Sequence, residues 1–244
     1  MKMIILAAGQ GTRLRPLTDN KPKCMVEYND IPIINYIIKT TKELGIEEIA
    51  IISGYKKDVL EYHLRDENIS FFTNPNYKYT NMVSTLFCAE SFMDDDIIIS
   101  YSDIIYKEEI LKKLILSKND FSVMIDKDWK ELWLKRMDNP LEDAETLKIR
   151  NKKIIEIGKR AKSYSEIEGQ YIGLIKISKS VIKEIINYYK SLNKNELYDG
   201  KKFDNMYMTS FIQKIIDNLL DVSPVYINGG WTEIDTVNDL KIKI

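Results

Sequence analysis

Apolar and polar positions along this chain switch repeatedly between two spacings. Residues 3–6 form a short apolar run, and residues 48–53, 69–72, 96–101 and 121–125 repeat it, each length suiting a buried strand. Between these runs the apolar positions fall three and four apart. Ile33, Ile34, Ile37, Ile38 and Leu44 predict a helix opened by Pro32 and ended by Gly45. Val59, Leu60 and Leu64 predict a short helix over 56–64, residues 83–92 a further one, and Ile110, Leu111, Leu114 and Ile115 another helical face. Strand, helix and strand in alternation predict parallel pairing through right-handed crossovers, and so an α/β, doubly wound, mostly parallel sheet.

The rhythm breaks near Trp129. Residues 128–144 are polar and aromatic without a clear period, and 146–149 and 154–157 flank Asn151-Lys152-Lys153 as a hairpin, predicting a small β flap. A strand over 170–177 follows. Two amphipathic helices come next, one carrying Val181, Ile182, Ile185, Ile186 and Tyr189, the other Met208, Phe211, Ile212, Ile215, Ile216 and Leu219. Between them the charged stretch 193–203, with Gly200, reads as a mobile loop. A core strand over 222–227 and a short strand over 231–235 complete the sequence. The expectation is one domain over 1–244, with a nucleotide-side core in 1–127 and an acceptor-side portion in 128–244 that completes the sheet. No repeat is visible, so no β-helix of hexapeptide repeats is expected.

Composition excludes several classes. The 36 basic and 37 acidic residues nearly cancel, which gives no electrostatic support for a nucleic-acid or membrane-surface role. Cys24 and Cys88 are too few for a disulfide framework and have no metal-ligand spacing with His63. The apolar start ends at Gly9, too soon for a signal peptide, and no stretch approaches the ~20 apolar residues of a membrane span. A soluble cytoplasmic protein is expected.

The chemistry is concentrated after the first strand. Leu6-Ala7-Ala8-Gly9-Gln10-Gly11-Thr12-Arg13-Leu14-Arg15-Pro16-Leu17-Thr18 is followed by Lys21-Pro22-Lys23. Gly9 and Gly11 let the backbone take positive φ and approach a ligand closely, and successive amides there can form a nest for phosphate oxygens. Thr12 adds a hydroxyl, Arg13 can grip two oxygens, and Lys23 offers a mobile point charge. A dinucleotide fingerprint needs a glycine where Leu14 stands, and a Walker A loop needs G-x-x-x-x-G-K-[ST], which is absent. Pro16 and Pro22 forbid a long helix directly after Gly11.

These residues resemble the signature of the nucleotidyltransferase superfamily, L-A-A-G-x-G-[ST]-R-[LM]-x-P-[LM]-T followed by K-P-K-x-[ML]. The match runs from Leu6 to Thr18 and from Lys21 to Met25, with Cys24 where many members carry proline. The resemblance implies transfer of a nucleotide to a phosphorylated acceptor, with Leu6, Ala8, Gly9, Gly11, Thr12 and Arg13 at the nucleotide and Arg13 and Lys23 catalytic. It also implies one Mg²⁺ ion held by Asp103, at the end of a central strand beside the nucleotide-binding Ser102, and by Asp235 of the Trp231-Thr232-Glu233-Ile234-Asp235 segment. Glu233 is a candidate third ligand. Each of the three has a plainer reading too: Asp103 as a cap for the helix near Glu108, Asp235 as a cap for the final turn, Glu233 as an exposed strand residue.

The region 74–86 lacks the Q-x-x-P-x-G-T-A element of sugar-nucleotide enzymes. It resembles the N-x-x-S-L element of the cytidylyltransferase branch, whose members act on phosphocholine, aminoethylphosphonate or phosphoglutamine. Asn81 and Ser84 would then read cytosine, and Asn81 can equally cap the helix that follows. Trp129, Trp133, Tyr101 and Trp231 form a candidate aromatic wall for an amine, with Glu142, Asp143 and Glu145 as carboxylate partners. Aromatic packing under a flap is the other reading of the tryptophans. Glu168-Gly169-Gln170-Tyr171-Ile172-Gly173, with wider spacing, resembles the family's E-x-x-G segment, which implies Glu168 and Gly173 beside the acceptor. The expected reaction takes CTP and a small amino-bearing phosphate or phosphonate, and homodimerisation remains open. The resemblance also implies a role in cell-surface polysaccharide modification. A sugar-1-phosphate enzyme using UTP or TTP, and a silent nucleotide-binding regulator, are the rivals.

Overall fold

The computed structural model describes residues 1–244. Its first half contains β1 (Lys2–Ala7), a small hairpin of β2 (Glu27–Tyr28) and β3 (Ile31–Pro32), α1 (Ile33–Glu43), β4 (Glu48–Ser53), α2 (Lys57–His63), β5 (Ile69–Thr73) and α3 (Met82–Phe87). Then come β6 (Ile97–Tyr101), β7 (Ile104–Tyr106), α4 (Glu108–Ile115) and β8 (Phe121–Asp126). The second half contains α5 (Trp129–Arg136), β9 (Glu145–Arg150), β10 (Lys153–Arg160), β11 (Gln170–Ile177) and α6 (Lys179–Ser191). A hairpin of β12 (Leu197–Tyr198) and β13 (Lys201–Lys202) leads to α7 (Met208–Asn218), β14 (Ser223–Ile227) and β15 (Trp231–Glu233).

Seven strands form the central sheet in the order β14-β8-β11-β6-β1-β4-β5. All are parallel except β11, which runs antiparallel to both β6 and β8. Strand alternation feeds two cores. Met3, Ile5, Ala7, Ile49 and Ile51 face one layer with α1, α2, α4 and α5, while Ile4, Leu6, Ala50 and Ile52 face α3, α6 and α7. The α/β, mostly parallel expectation is met. No helix is long and apolar enough to cross a membrane.

Differences from expectation have local causes. Pro32 stands just before α1 rather than inside it, with its ring in the two-residue strand β3. The predicted 83–92 helix is shorter, ending at Phe87 and resuming as a 3-10 turn over Glu90–Phe92. The stretch 193–203 contains the β12–β13 hairpin, which turns at Asp199 and Gly200, both at positive φ. β14 is an edge strand, half exposed along most of its length, and not a core strand. The aperiodic 128–144 segment contains α5, whose buried residues Trp129, Leu132 and Trp133 cover little more than one turn while Leu134 lies exposed. The flap hairpin is β9–β10, and both turn residues, Asn151 and Lys152, take positive φ as a two-residue turn of this hand requires.

The sheet order positions the site. After β1 the chain crosses to β4 on one side, and β6 pairs with the other side of β1. A crevice therefore opens beyond the carboxyl ends of β1 and β6, where open parallel sheets place ligands.

Candidate active site

Two adjoining clefts occupy that crevice. The first is lined by Leu6, Ala8, Gly9, Lys23, Tyr77 and Thr80 to Met82, with Thr85, Tyr101, Ser102 and Asp103. The second is lined by Arg13, Trp133, Asp143, Glu145, Gln170, Tyr171, Tyr207 to Thr209, Glu233 and Asp235. Asn81, Met82 and Tyr101 line both.

Gly11 has the predicted positive φ, 61°, and a Cβ there would lie 2.9 Å from the Lys23 Cβ. Its small size therefore lets the Lys23 stem pack on the loop. Gly9 differs: its φ is not positive, and a Cβ would meet nothing, so it leaves open space on the first cleft. Thr12 is exposed on a 3-10 turn and lines neither cleft.

At the junction, carboxylate oxygens of Asp103, Glu233 and Asp235 lie within 4.8 Å of one another. Their elements explain the meeting. Asp103 follows β6, and β15, carrying Glu233, pairs antiparallel with β7 directly after it, while Ile234 donates its amide to Asp103 O. The helix-cap reading of Asp103 fails, since Lys107 occupies the cap position of α4. Asp235 caps no final turn either; Asp239 Oδ2 accepts the amides of Asp235 and Thr236.

Three cations surround these carboxylates. Lys23 Nζ donates to Asp103 Oδ2 and Asp235 Oδ1, each at 2.5 Å. Arg13, on the exposed side, reaches Asp235 Oδ1 at 2.8 Å. Arg136 of α5, its side chain 4% exposed, forks to Glu233 Oε2 at 3.0 Å, Asp235 Oδ2 at 3.2 Å and Asp239 Oδ1 at 3.2 Å. Burial works against the charge on Lys23, yet Asp103, Asp235 and Glu233 outweigh it and hold its pKa above the ordinary value. Burial raises Asp235, but Lys23, Arg13 and Arg136 reverse this and hold it low. Burial, with Asp235 and Asp103 adding, pushes Glu233 up to about 8.

The donor set suits a hard divalent cation: three carboxylates converge, and the buried Asp103 Oδ1 has no hydrogen-bond partner.

The candidate base readers divide. Asn81 caps α3 by accepting the Met82 amide at 2.8 Å and also lines both clefts. Ser84 lines neither; one helical position away from the cleft face, its hydroxyl donates to Asp204 O, and Thr85 takes the cleft position. Ser102, 8% exposed, lines the first cleft as expected.

Among the candidate acceptor residues, the aromatic wall is largely core. Trp129 packs on Trp133 and Tyr164, and Trp231 donates its indole N–H to Asp126 Oδ2; neither lines a cleft. Of the three tryptophans only Trp133 reaches the second cleft, its indole donating to Asp143 Oδ2 at 3.0 Å, while Tyr101 lines both clefts. Glu168 accepts the Ile149 amide on the flap and lines neither cleft. Gly173 does not face open cleft space. At φ 87°, in the irregular register of β11 against β8, it supports the ring of Tyr101, whose Cδ2 lies 2.7 Å from where a Cβ would stand. Gly173→Ala is therefore expected to lower stability by ~1–3 kcal/mol and displace the Tyr101 ring, measured by thermal unfolding and near-ultraviolet circular dichroism.

Glu145 does face the second cleft, near Asp143. Burial, with Asp143 and Asp199 adding, pushes its carboxyl up to about 7 against the opposing effect of Thr209. Site residues that the sequence did not single out include Arg136, Gln170, Tyr171, Tyr207 and Thr209, with Tyr77, Thr80, Met82, Thr85 and Met208. Gln170 is 5% exposed and clasps both backbone groups of Glu145, fixing the edge of the flap.

Known proteins share this arrangement's scaffold. A CTP:phosphoglutamine cytidylyltransferase of Campylobacter jejuni is 50% identical over 251 aligned positions, covering 100% of this chain and 99% of that protein. A choline-phosphate cytidylyltransferase of Streptococcus pneumoniae is 38% identical across 44% of this chain and 47% of its own length. The inositol-1-phosphate CTP transferase of T. maritima superposes with a TM-score of 0.78 at 20% identity, covering 98% of this chain and 90% of that one. Residues 2–131 match the Nucleotidyl transferase family, and with that match and the full-length relative the chain belongs to this family.

Proposed function

We propose that this chain is a cytidylyltransferase that moves CMP from CTP to a small phosphate or phosphonate bearing an amino group, releasing pyrophosphate. The observation that carries this reading is the pair of clefts meeting at Arg13, Lys23, Asp103 and Asp235. The full-length likeness to a phosphoglutamine enzyme supports the same acceptor class. Residues 1–127 supply the nucleotide side and 128–244 most of the acceptor side.

Cytosine and ribose fit the first cleft, beside Leu6, Ala8, Gly9 and Ser102. Asn81 uses its carbonyl oxygen on the Met82 amide, which leaves its amide nitrogen to donate to cytosine O2 or N3. The acceptor sits in the second cleft, its ammonium facing Glu145 and Asp143 and its phosphate toward Arg13. An acceptor oxygen forms a bond to the α-phosphorus while the bond from that phosphorus to the bridging oxygen of pyrophosphate breaks. The acceptor is already anionic, so no general base is required. Arg13 and Lys23 stabilise the charge that develops. Asp103, Asp235 and Glu233 would hold Mg²⁺, which when bound neutralises triphosphate charge.

Pyrophosphate release measured with CTP, UTP, ATP and GTP against phosphoglutamine, phosphocholine, 2-aminoethylphosphonate and glucose 1-phosphate tests the reading. CTP with an amino-bearing acceptor is the expected pair; activity confined to UTP and glucose 1-phosphate would overturn it.

Glu145 gives the acceptor assignment a pH signature. Its ionised form pairs with an ammonium, and its carboxyl titrates at about 7 in the free protein. Acceptor affinity should therefore be full above that pH and fall as pH drops through it. Glu145→Gln should raise the acceptor KM about tenfold at pH 8 and remove this part of the pH dependence, leaving the CTP KM unchanged. An unchanged acceptor KM would place the ammonium elsewhere.

A further inference from the structure

The position of the Lys23 head group has a consequence for metal binding. Its ammonium lies 2.5 Å from Asp103 Oδ2 and 2.5 Å from Asp235 Oδ1. Arg13 shares Asp235 Oδ1 from the exposed side, but a divalent cation drawing on both of those oxygens would stand directly against the ammonium's charge. Each of these carboxyl groups also has a cationic partner: Lys23 meets Asp103 and Asp235, Arg13 meets Asp235, and Arg136 is shared by Glu233, Asp235 and Asp239. Of these three cations, Lys23 alone bridges two of the converging carboxylates on the side that faces the first cleft. Arg136 approaches from α5 and binds the other Asp235 oxygen, and Arg13 is 65% exposed.

We infer that Lys23 is the resident counter-cation of the Asp103 and Asp235 carboxylates, and that its ammonium and a divalent cation exclude one another at those two oxygens. The stem of Lys23 is packed against Gly11, so the exchange is a movement of the head group alone. Ala8 and Gly9 line the same cleft as the Lys23 head, and a move in their direction takes the ammonium where the loop presents its bare backbone. One displacement thus opens the carboxylates and carries positive charge into the cleft. This inference rests on the proposed reading only for the use made of that charge; the exclusion itself concerns the protein alone.

The two roles of Lys23 predict effects of opposite sign. Binding of Mn²⁺ to the full chain, followed by electron paramagnetic resonance of the free ion and without nucleotide, should tighten by about tenfold or more in Lys23→Met, because a competing unit charge is removed from two carboxylates. Turnover in the same variant should fall. Lys23→Gln, which retains a hydrogen-bond donor for the carboxylates, is the second variant should Lys23→Met fail to fold, and the same tightening is expected of it. Adding Asp235→Asn to either variant should abolish the gain, locating it at this pair. Mn²⁺ binding that is unchanged, weaker or absent in the folded Lys23 variant overturns the exclusion, whatever nucleotide or acceptor the enzyme uses.

Discussion

Asp235→Asn is expected to lower turnover by about 10²–10³-fold, an effect typical of removing a group that organises charge at the reacting centre. Asp235 is 8% exposed and receives Lys23 and Arg13 on Oδ1 and Arg136 on Oδ2. An asparagine keeps the shape but turns one oxygen into an NH₂ group, which would point its hydrogens at a cation on either side. The one remaining oxygen can serve Lys23 and Arg13 or Arg136 but not both sides, and one of the three converging carboxylates would be gone. Steady-state kinetics and a Mg²⁺ titration check this: kcat should drop and half-saturation should move to higher Mg²⁺. A variant with normal kcat and normal metal dependence would remove Asp235 from the site.

The second large effect is on folding. Arg136→Met should destabilise the protein by ~3–5 kcal/mol, because removing one partner from a buried ion network leaves the others uncompensated. Glu233, Asp235 and Asp239 all depend on this guanidinium, and Asp239 is 1% exposed. For a chain of this length the loss corresponds to a fall of roughly 10 °C in Tm. Arg136→Lys should recover part of it, since a lysine can reach one carboxylate but cannot fork to three. Thermal unfolding of both variants provides the measurement, and a Met variant as stable as the parent would show that the network contributes nothing.

Arg136 also shows where sequence reading stops. It sits in a segment with no clear period, and its partners are 97, 99 and 103 residues further along the chain. Nothing local marks it. The Asp103, Glu233 and Asp235 set was legible because its two sequence motifs lie at the ends of strands that the fold then pairs, Asp103 just before β7 and Asp235 just after β15. Lys23 was legible as a cation but not as the partner of two carboxylates, since its side chain reaches residues 80 and 212 positions further along the chain. The central strands declared themselves through unbroken apolar runs, and the hairpin β9–β10 through its polar turn. By contrast the tryptophans carried two readings in sequence, ligand wall or core; all three are buried, and Trp133 alone of them borders the second cleft. Ser84 failed for a simpler reason: helical spacing turns residues 81, 82 and 85 toward the cleft and 84 toward Asp204.

In the proposed reaction the cytidylyl group of CTP ends on the acceptor's phosphorus-bound oxygen. The most direct test is mass spectrometry of the product formed from CTP, Mg²⁺ and phosphoglutamine, with 2-aminoethylphosphonate and phosphocholine in parallel. At least one of these acceptors should yield a product carrying CMP joined through a new phosphoric anhydride linkage, with one pyrophosphate per product. Pyrophosphate appearing without a CMP-linked acceptor, or a nucleotide-linked product found only with UTP and glucose 1-phosphate, would contradict it.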